Sequence, residues 1–232
     1  MVKGSDVIEL AQSHKGERYI LGARVPLDNA NWKGPWDCAE FVSWVAFQTS
    51  GLVLGCTDGG ADPSLAEPYS GAWARDAARS VRRVGLGQAR GVAGAVLVRK
   101  PGQNGIGHVT LSRGDGTTIE AHSSARGVTN DQVDGRRWDF AMLLPLVDYP
   151  GLPPDEVFTP PAGLVLRLTA PPMRGALVKR LQAALKAQGF DAGDSDGIFG
   201  PHTDAAVRAF QMDKGLAADG EAGQRTMEAL GL

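Results

Sequence analysis

The stretch Gly34–Val45 reads GPWDCAEFVSWV. An acid, a cysteine and then an apolar run mark a helix start: Asp37 is placed to cap it, with Cys38 in the first turn. The run continues to Gly51, a residue suited to close a helix. Its apolar face takes Phe41, Val42, Val45 and Ala46. Cys38 itself has two readings. A free cysteine is most often a small buried hydrophobe. At a helix start it also meets the positive end of the macrodipole, which favours the thiolate, the form that attacks carbonyl carbon.

Upstream, Ser5 can cap a first helix carrying Val7, Ile8 and Ala11 as a stripe. Downstream, GAWARDAARSVRRV (71–84) predicts a third helix, with the arginines between Arg75 and Arg83 on a solvated face. The period then changes to two. AGAVLVRK, GIGHVTLSR, GTTIEAHS and RRWDFAMLLPL predict four strands separated by glycine-bearing turns. Helices followed by an antiparallel meander make an α+β domain.

Two of those strands bear on Cys38. His108 opens one of them. The next carries Thr118, Glu120 and His122 on one face and Ile119 and Ala121 on the other. In a hairpin of this length the Glu120–His122 face lies beside His108. A thiol, an imidazole and an orienting polar group are the parts of a cysteine hydrolase. Each also has a plainer reading, His108 as a rim residue of the sheet and Glu120 or His122 as solvated strand side chains.

The chain has 232 residues, 43% hydrophobic and 22% charged, enough apolar residue for a core. A net charge of -2 offers no electrostatic case for nucleic acid or an anionic membrane. No apolar run approaches a membrane span, and the N-terminal residues lack the apolar core of a secretory signal. The expectation is synthesis in the cytoplasm, with any action outside the cell requiring another route. Two cysteines make no disulfide scaffold. Cys56 reads as a turn residue, unpaired with Cys38. His14, Cys56 and His202 are not at ligand spacing, and nothing calls for a metal or other cofactor.

Eight of the fourteen prolines fall between Pro145 and Pro172. Proline fixes φ and removes a donor, so this stretch reads as an extended, semi-stiff linker. It divides the chain into a domain at 1–147, a linker at 148–174 and a domain at 175–232. The last piece reads as small helices. Leu177, Leu181, Ala184 and Leu185 share a face, closed by Gly189. PHTDAAVRAFQMDKG carries Val207, Phe210 and Gln211, and Thr226–Leu230 forms part of a third helix.

YILGARVPLDNANWKGPWDCAEFVSWV resembles the signature of NlpC-type cysteine peptidases, bacterial cell-wall hydrolases with a papain-like core. Tyr19, Gly22, Asp37, Cys38, Phe41 and Val42 match its Y-x-x-G and D-C-S-G-F-V pattern, and GHVTLSRGDGTTIEAHS resembles its histidine hairpin at His108. The related CHAP amidases are also similar, and their glutamate with a polar residue two positions on resembles Glu120 and His122. Ala39 and Glu40 stand where the family has serine and glycine, a departure at substrate contacts. The resemblance implies a papain-like fold with Cys38 as nucleophile, His108 as base and Glu120, with His122 as its rival, as the orienting group. It implies Tyr19 and the helix start at Asp37–Cys38 as substrate or oxyanion contacts.

Residues 176–231 resemble the three-helix peptidoglycan-binding domain, through the L-Q of the first helix, DGIFGPHT, AVRAFQ and the late DG. That resemblance implies a core of Leu181, Phe199, Val207 and Phe210, with wall contacts near the DSDGIFG loop at Asp196 and Gln211. Together the two imply a monomeric hydrolase of peptidoglycan cutting an amide or γ-D-glutamyl bond. By analogy of layout, a phage or prophage endolysin is the favoured expectation. A virion-borne wall hydrolase, a delivered toxin, a thiol acyltransferase and a catalytically dead wall binder are the competing expectations.

Overall fold

The computed structural model describes residues 2–57, 62–80, 82–103, 106–152, 164–170 and 172–232. The chain divides into two compact units, Met1–Glu156 and Val157–Leu232.

In the first unit, helix α1 spans Gly4–Gln12. Lys3, not Ser5, precedes its first turn, and the Lys3 backbone N–H donates to the Asp6 carboxylate at 2.8 Å. Ser5 lies one turn-position inside, because the acid at Asp6 reaches back to satisfy the entry. Val7 and Ala11 are buried. Helix α2 spans Cys38–Ser50 and ends on Gly51 at φ 78°. Asp37 caps it, accepting from Ala39 N at 3.0 Å and Glu40 N at 2.9 Å. This helix is buried all round: Trp44 and Phe47 are covered as fully as Phe41 and Val42. A helix apolar on every side belongs at the centre of its domain. Around it Trp73 Nε1 donates to Ser43 Oγ at 2.9 Å and Trp44 Nε1 to the Asn29 carbonyl at 3.0 Å.

Helix α3 spans Ser70–Arg79, shorter than expected, and a four-residue helix α4 spans Leu86–Ala89. Within the arginine run, Arg79 is exposed on α3 and Arg83 is exposed beyond it, but Arg82 departs from a solvated helical face. Arg82 lies beyond the helix, is buried, and donates to the Leu144 and Val147 carbonyls at 2.9 and 3.0 Å. Irregular backbone leaves carbonyls that need donors, and a guanidinium supplies several at once.

Five antiparallel strands follow: β1 Val96–Arg99, β2 His108–Ser112, β3 Thr117–Ser123, β4 Gly127–Gln132 and β5 Phe140–Met142. Their order is β4-β3-β2-β1-β5, so β5 returns to pair with β1 rather than extending a meander. Strand β4 (GVTNDQ) was not among the expected four, since Asn and Asp are depleted in strands. It stands at one edge, where polar residues are tolerated. Residues 16–17 run along its outer side, with Gly16 N donating to Val128 O and Val128 N to Glu17 O at 2.8 and 2.9 Å. Gly127 has φ +61°, and a Cβ there would come within 2.3 Å of the Glu17 carbonyl, so only glycine fits. On the other edge, Val84 N donates to Ala141 O and Leu143 N to Arg82 O. Helix α2 packs across β2 and β3, α3 across β1 and β5, and α1 against β3.

Residues 153–163 of the expected linker lie outside the described residues. Its flanks belong to the units on either side. Tyr149 is buried in the first unit, accepting from Leu144 N and donating to Gly94 O. Leu166 is buried in the second, pairing with Ala222 through both backbone bonds.

The second unit is all-α: α5 Ala176–Ala187, α6 Pro201–Asp213 and α7 Gln224–Leu230. Leu177, Val178, Leu181, Leu185, Phe199, Val207 and Phe210 are its buried apolar centre. Two buried glutamines act as matching clasps. Gln182 Nε2 donates to Asp196, the Ile198 carbonyl and Thr203, while its Oε1 accepts from Gly197 N. Gln211 repeats the pattern on Asp219, the Glu221 carbonyl, Thr226 and Gly220 N. Each clasp fixes a D-G-x-x-G-x-x-T loop ahead of a helix.

Candidate active site

The cap that starts α2 also sets the surroundings of Cys38. Asp37 spends one carboxylate oxygen on Ala39 and Glu40 and the other on Gly22 N at 3.1 Å. This ties the 19–22 loop to the helix start and leaves Asp37 no donor role: it is an anchor rather than an oxyanion contact. The Val109 backbone N–H, next to His108 on β2, points at the Cys38 sulfur. Cys38, Asp37 and His108 therefore share one small region where α2 meets β2.

Cys38 is only 7% exposed. Burial first, then the Asp37 charge, pushes its thiol up to about 12, against the opposing pull of the Val109 and Ala39 N–H groups. Burial thus works against the thiolate that the helix start favours. Loss of water outweighs the partial charge of a helix end, which is worth only ~1 kcal/mol. Tyr19 is likewise pushed up to about 12, by burial and then by Cys38 and Asp37. Its phenol stays protonated and able to donate beside the sulfur.

On the sheet, the His108 ring is 9% exposed and Nε2 is hydrogen-bonded to Glu120 Oε2. Glu120 is fully buried. Thr118 Oγ1 donates to Glu120 Oε1 at 2.6 Å. Arg136 grips both oxygens, Nη1 to Oε1 at 2.6 Å and Nη2 to Oε2 at 2.9 Å. Burial opposes ionisation of Glu120, but Arg136, His108 and Thr118 together hold its carboxyl well below the usual carboxylate range. An ionised carboxylate only accepts, so Nε2 carries a proton and Nδ1 is the ring nitrogen left for proton exchange. Trp138 completes the wall, with its ring 6.2 Å from that of His108 and Arg136 over it at 4.7 Å.

His122 is not the partner of His108. It sits in a bulge between Ala121 and Ser123, unpaired in the β4 register. A bulge re-aims its side chain. Nδ1 meets Ser123 Oγ at 3.0 Å and Nε2 meets Asp131 at 3.3 Å, while the two histidine rings lie 6.4 Å apart, edge to face. Burial lowers its pKa.

Sequence reasoning placed Thr118 on this face without a role, and it missed Arg136 and Trp138. A usable signal existed: a glutamate facing inward on a central strand demands a cation, and RRW was the nearest supply.

Glu40, on the next turn of α2, is also buried, and its Oε2 has no partner among the described residues. Burial, then the Asp37 charge, pushes its carboxyl up to about 9. Cys56 is buried and free, pushed up to about 12 by burial and then by Glu40. Among the described residues no group of three or more His, Cys, Asp or Glu is placed to share a metal ion. None of the described helices is long and apolar enough to cross a membrane.

In the second unit Asp196 is exposed, and its Oδ1 accepts from Gln182 Nε2 and Ile198 N. Gln211 is 2% exposed with its amide committed to the clasp. It is therefore a buried fastener, not the exposed contact expected. Its charged-looking DG loop hid the fact that the glutamine points inward.

The chain is similar in part to several known proteins. The chain is 44% identical over 59 residues to N-acetylmuramoyl-L-alanine amidase CwlM of Mycobacterium tuberculosis, covering 25% of this chain and 14% of that protein. Among solved structures, the NlpC/p60 domain of peptidoglycan hydrolase SagA is 22% identical, with a TM-score of 0.42, covering 61% of this chain and 98% of that one. The P60 domain of the Mycobacterium avium subspecies paratuberculosis antigen MAP1204 is 25% identical, TM-score 0.39, covering 60% and 91%. Peptidoglycan hydrolase RipB of Mycobacterium tuberculosis is 25% identical, TM-score 0.39, covering 62% and 64%. Residues 174–230 match the family model described as "Putative peptidoglycan binding domain".

Proposed function

We propose that this chain is a peptidoglycan hydrolase that cleaves an amide of the stem peptide by acyl transfer to Cys38. The observation that carries the reading is the junction of α2 and β2. There the Cys38 sulfur meets the Val109 N–H, beside a His108 whose Nε2 is engaged by Glu120. The match of residues 174–230 supports peptidoglycan as the polymer. The printed names of the similar proteins, an amidase and two peptidoglycan hydrolases, agree with it.

Burial favours the neutral thiol, and a base beside it assists attack. His108 Nδ1 takes the Sγ proton as sulfur bonds to the carbonyl carbon. The oxyanion forms near the Cys38 backbone N–H and the Tyr19 phenol, both potential donors. Glu120 stabilises the imidazolium, which then gives its proton to the leaving amine. Water, deprotonated by His108, hydrolyses the thioester and restores the thiol. Residues 1–147 are the catalytic part, 148–174 the connection and 175–232 the wall-binding part. Tethering raises the concentration of wall substrate at Cys38. As biological role we put forward an endolysin reaching the wall through a holin, with virion-borne or secreted delivery as the alternatives.

The test is digestion of purified sacculi by the full chain and by Cys38→Ala, with mass spectrometry of the released fragments. The expected result is new amine and carboxyl ends from the wild type and a loss of about 10³-fold or more in the variant. Equal fragment release by the variant would overturn the reading. The fragment masses also name the bond cut.

A further inference from the structure

Resting on the hydrolase reading above, we propose that Arg136 is a positioning residue of this site. Its two-pronged grip fixes the Glu120 carboxylate against His108 Nε2 and cancels its charge, so that a neutral imidazole keeps its lone pair at Nδ1 for Cys38.

The geometry carries the argument. Glu120 accepts from His108, Thr118 and both Arg136 nitrogens, so its plane is set on every side. Arg136 is itself held, stacked over Trp138 at 4.7 Å, with Nη1 also 3.4 Å from the Gln132 carbonyl. Trp138 in turn lies against the His108 ring. Imidazole, carboxylate, guanidinium and indole thus form one closed set, in which moving Arg136 frees both supports of His108. A bidentate fork is the arrangement that a lysine cannot reproduce.

The charge argument is independent of the packing. A bare carboxylate on Nε2 would favour the imidazolium and remove the base. The facing groups are Glu120 and His122 from β3, Asp37 and Cys38 from the start of α2, Tyr19 from the preceding loop, and Arg99 opposite on β1. Asp131 on β4 reaches Arg136 at 3.7 Å and His122 at 3.3 Å. Beside His108 itself, Arg136 is the permanent cation paired with Glu120 among the described residues. Removing its charge favours proton uptake by the His108–Glu120 pair, whichever member takes the proton.

The experiment compares Arg136→Gln and Arg136→Lys, each in the wild-type and Glu120→Gln backgrounds. Two readouts need no substrate: the pH dependence of Cys38 alkylation by iodoacetamide, and nitrogen-15 NMR titration of His108. Wall digestion is the third. Arg136→Gln is expected to move the acid limb of alkylation and the His108 titration up by about one pH unit. Arg136→Lys keeps both near wild type while slowing wall digestion about tenfold through lost alignment. In the Glu120→Gln background, Arg136→Gln gives no further pH shift. An unmoved limb in Arg136→Gln, or a shift that persists undiminished without the Glu120 charge, overturns the proposal. If the variants do not fold, wild-type NMR decides: a ring protonated at Nε2 near neutral pH supports it, and one protonated at Nδ1 overturns it. A wild type that alkylates and titrates as expected yet digests no wall would sink the hydrolase reading and leave the role of Arg136 standing.

Discussion

Two glutamates are buried in the same unit and meet opposite fates. Glu120, on β3, is surrounded by an arginine fork, a threonine hydroxyl and an imidazole, and stays charged. Glu40, on α2, has an oxygen without a partner among the described residues, and burial makes it hold its proton up to about 9. The interior tolerates a carboxylate only where donors are built around it; elsewhere it tolerates the acid. The contrast separates a region organised for chemistry from one that bears a stability cost.

The contrast is sharpest at Glu120. Glu120→Gln keeps the size but loses the charge that holds the imidazolium and the fork. Wall digestion should fall about hundredfold in kcat, with little change in KM, measured by fragment release. A loss of less than about threefold would place the working group elsewhere.

Glu40→Gln should act in the other direction, and on stability. Its folded pKa is raised, so the protonated form is favoured by folding. The acid is therefore borne without loss below about pH 4.5, and stability is lost as pH rises toward about 9. The amide removes that slope. Thermal melts of variant and wild type should nearly coincide at pH 5 and part steadily toward pH 9, by up to ~1.4 kcal/mol per pH unit, the variant higher. Glu120 has the opposite sign: its lowered pKa contributes stability above about pH 4.5 that is lost in acid. A flat difference for Glu40→Gln across that range would break the comparison.

The smallest effect belongs to His122. Turned by its bulge toward Ser123 and Asp131, it should tolerate His122→Ala with wall digestion reduced by less than about threefold. A hundredfold loss would restore it as the partner of His108.

The outline of this site is written locally. Asp37 before an apolar run announces the cap, Gly51 announces the close, and strand alternation puts Glu120 on the face of His108. The choice between Glu120 and His122 was not legible, because residues two apart share a face until a bulge displaces one of them. Strand β4 escaped because Asn130 and Asp131 resemble a loop, and an edge position lets a strand be polar. The burial that pushes the Cys38 thiol up was not legible, because a helix start is visible in sequence while the removal of water is not. Gln211 and Arg82 share one lesson: polar side chains were assigned to the surface, yet irregular backbone nearby claimed their donors.

Both rims of the sheet are stitched by irregular chain, residues 16–17 outside β4 and residues 82–84 outside β5. A bare rim offers unpaired backbone on which another molecule can lay a strand. Copies crowded side by side would find those stretches already occupied, so close company need not end in fibres.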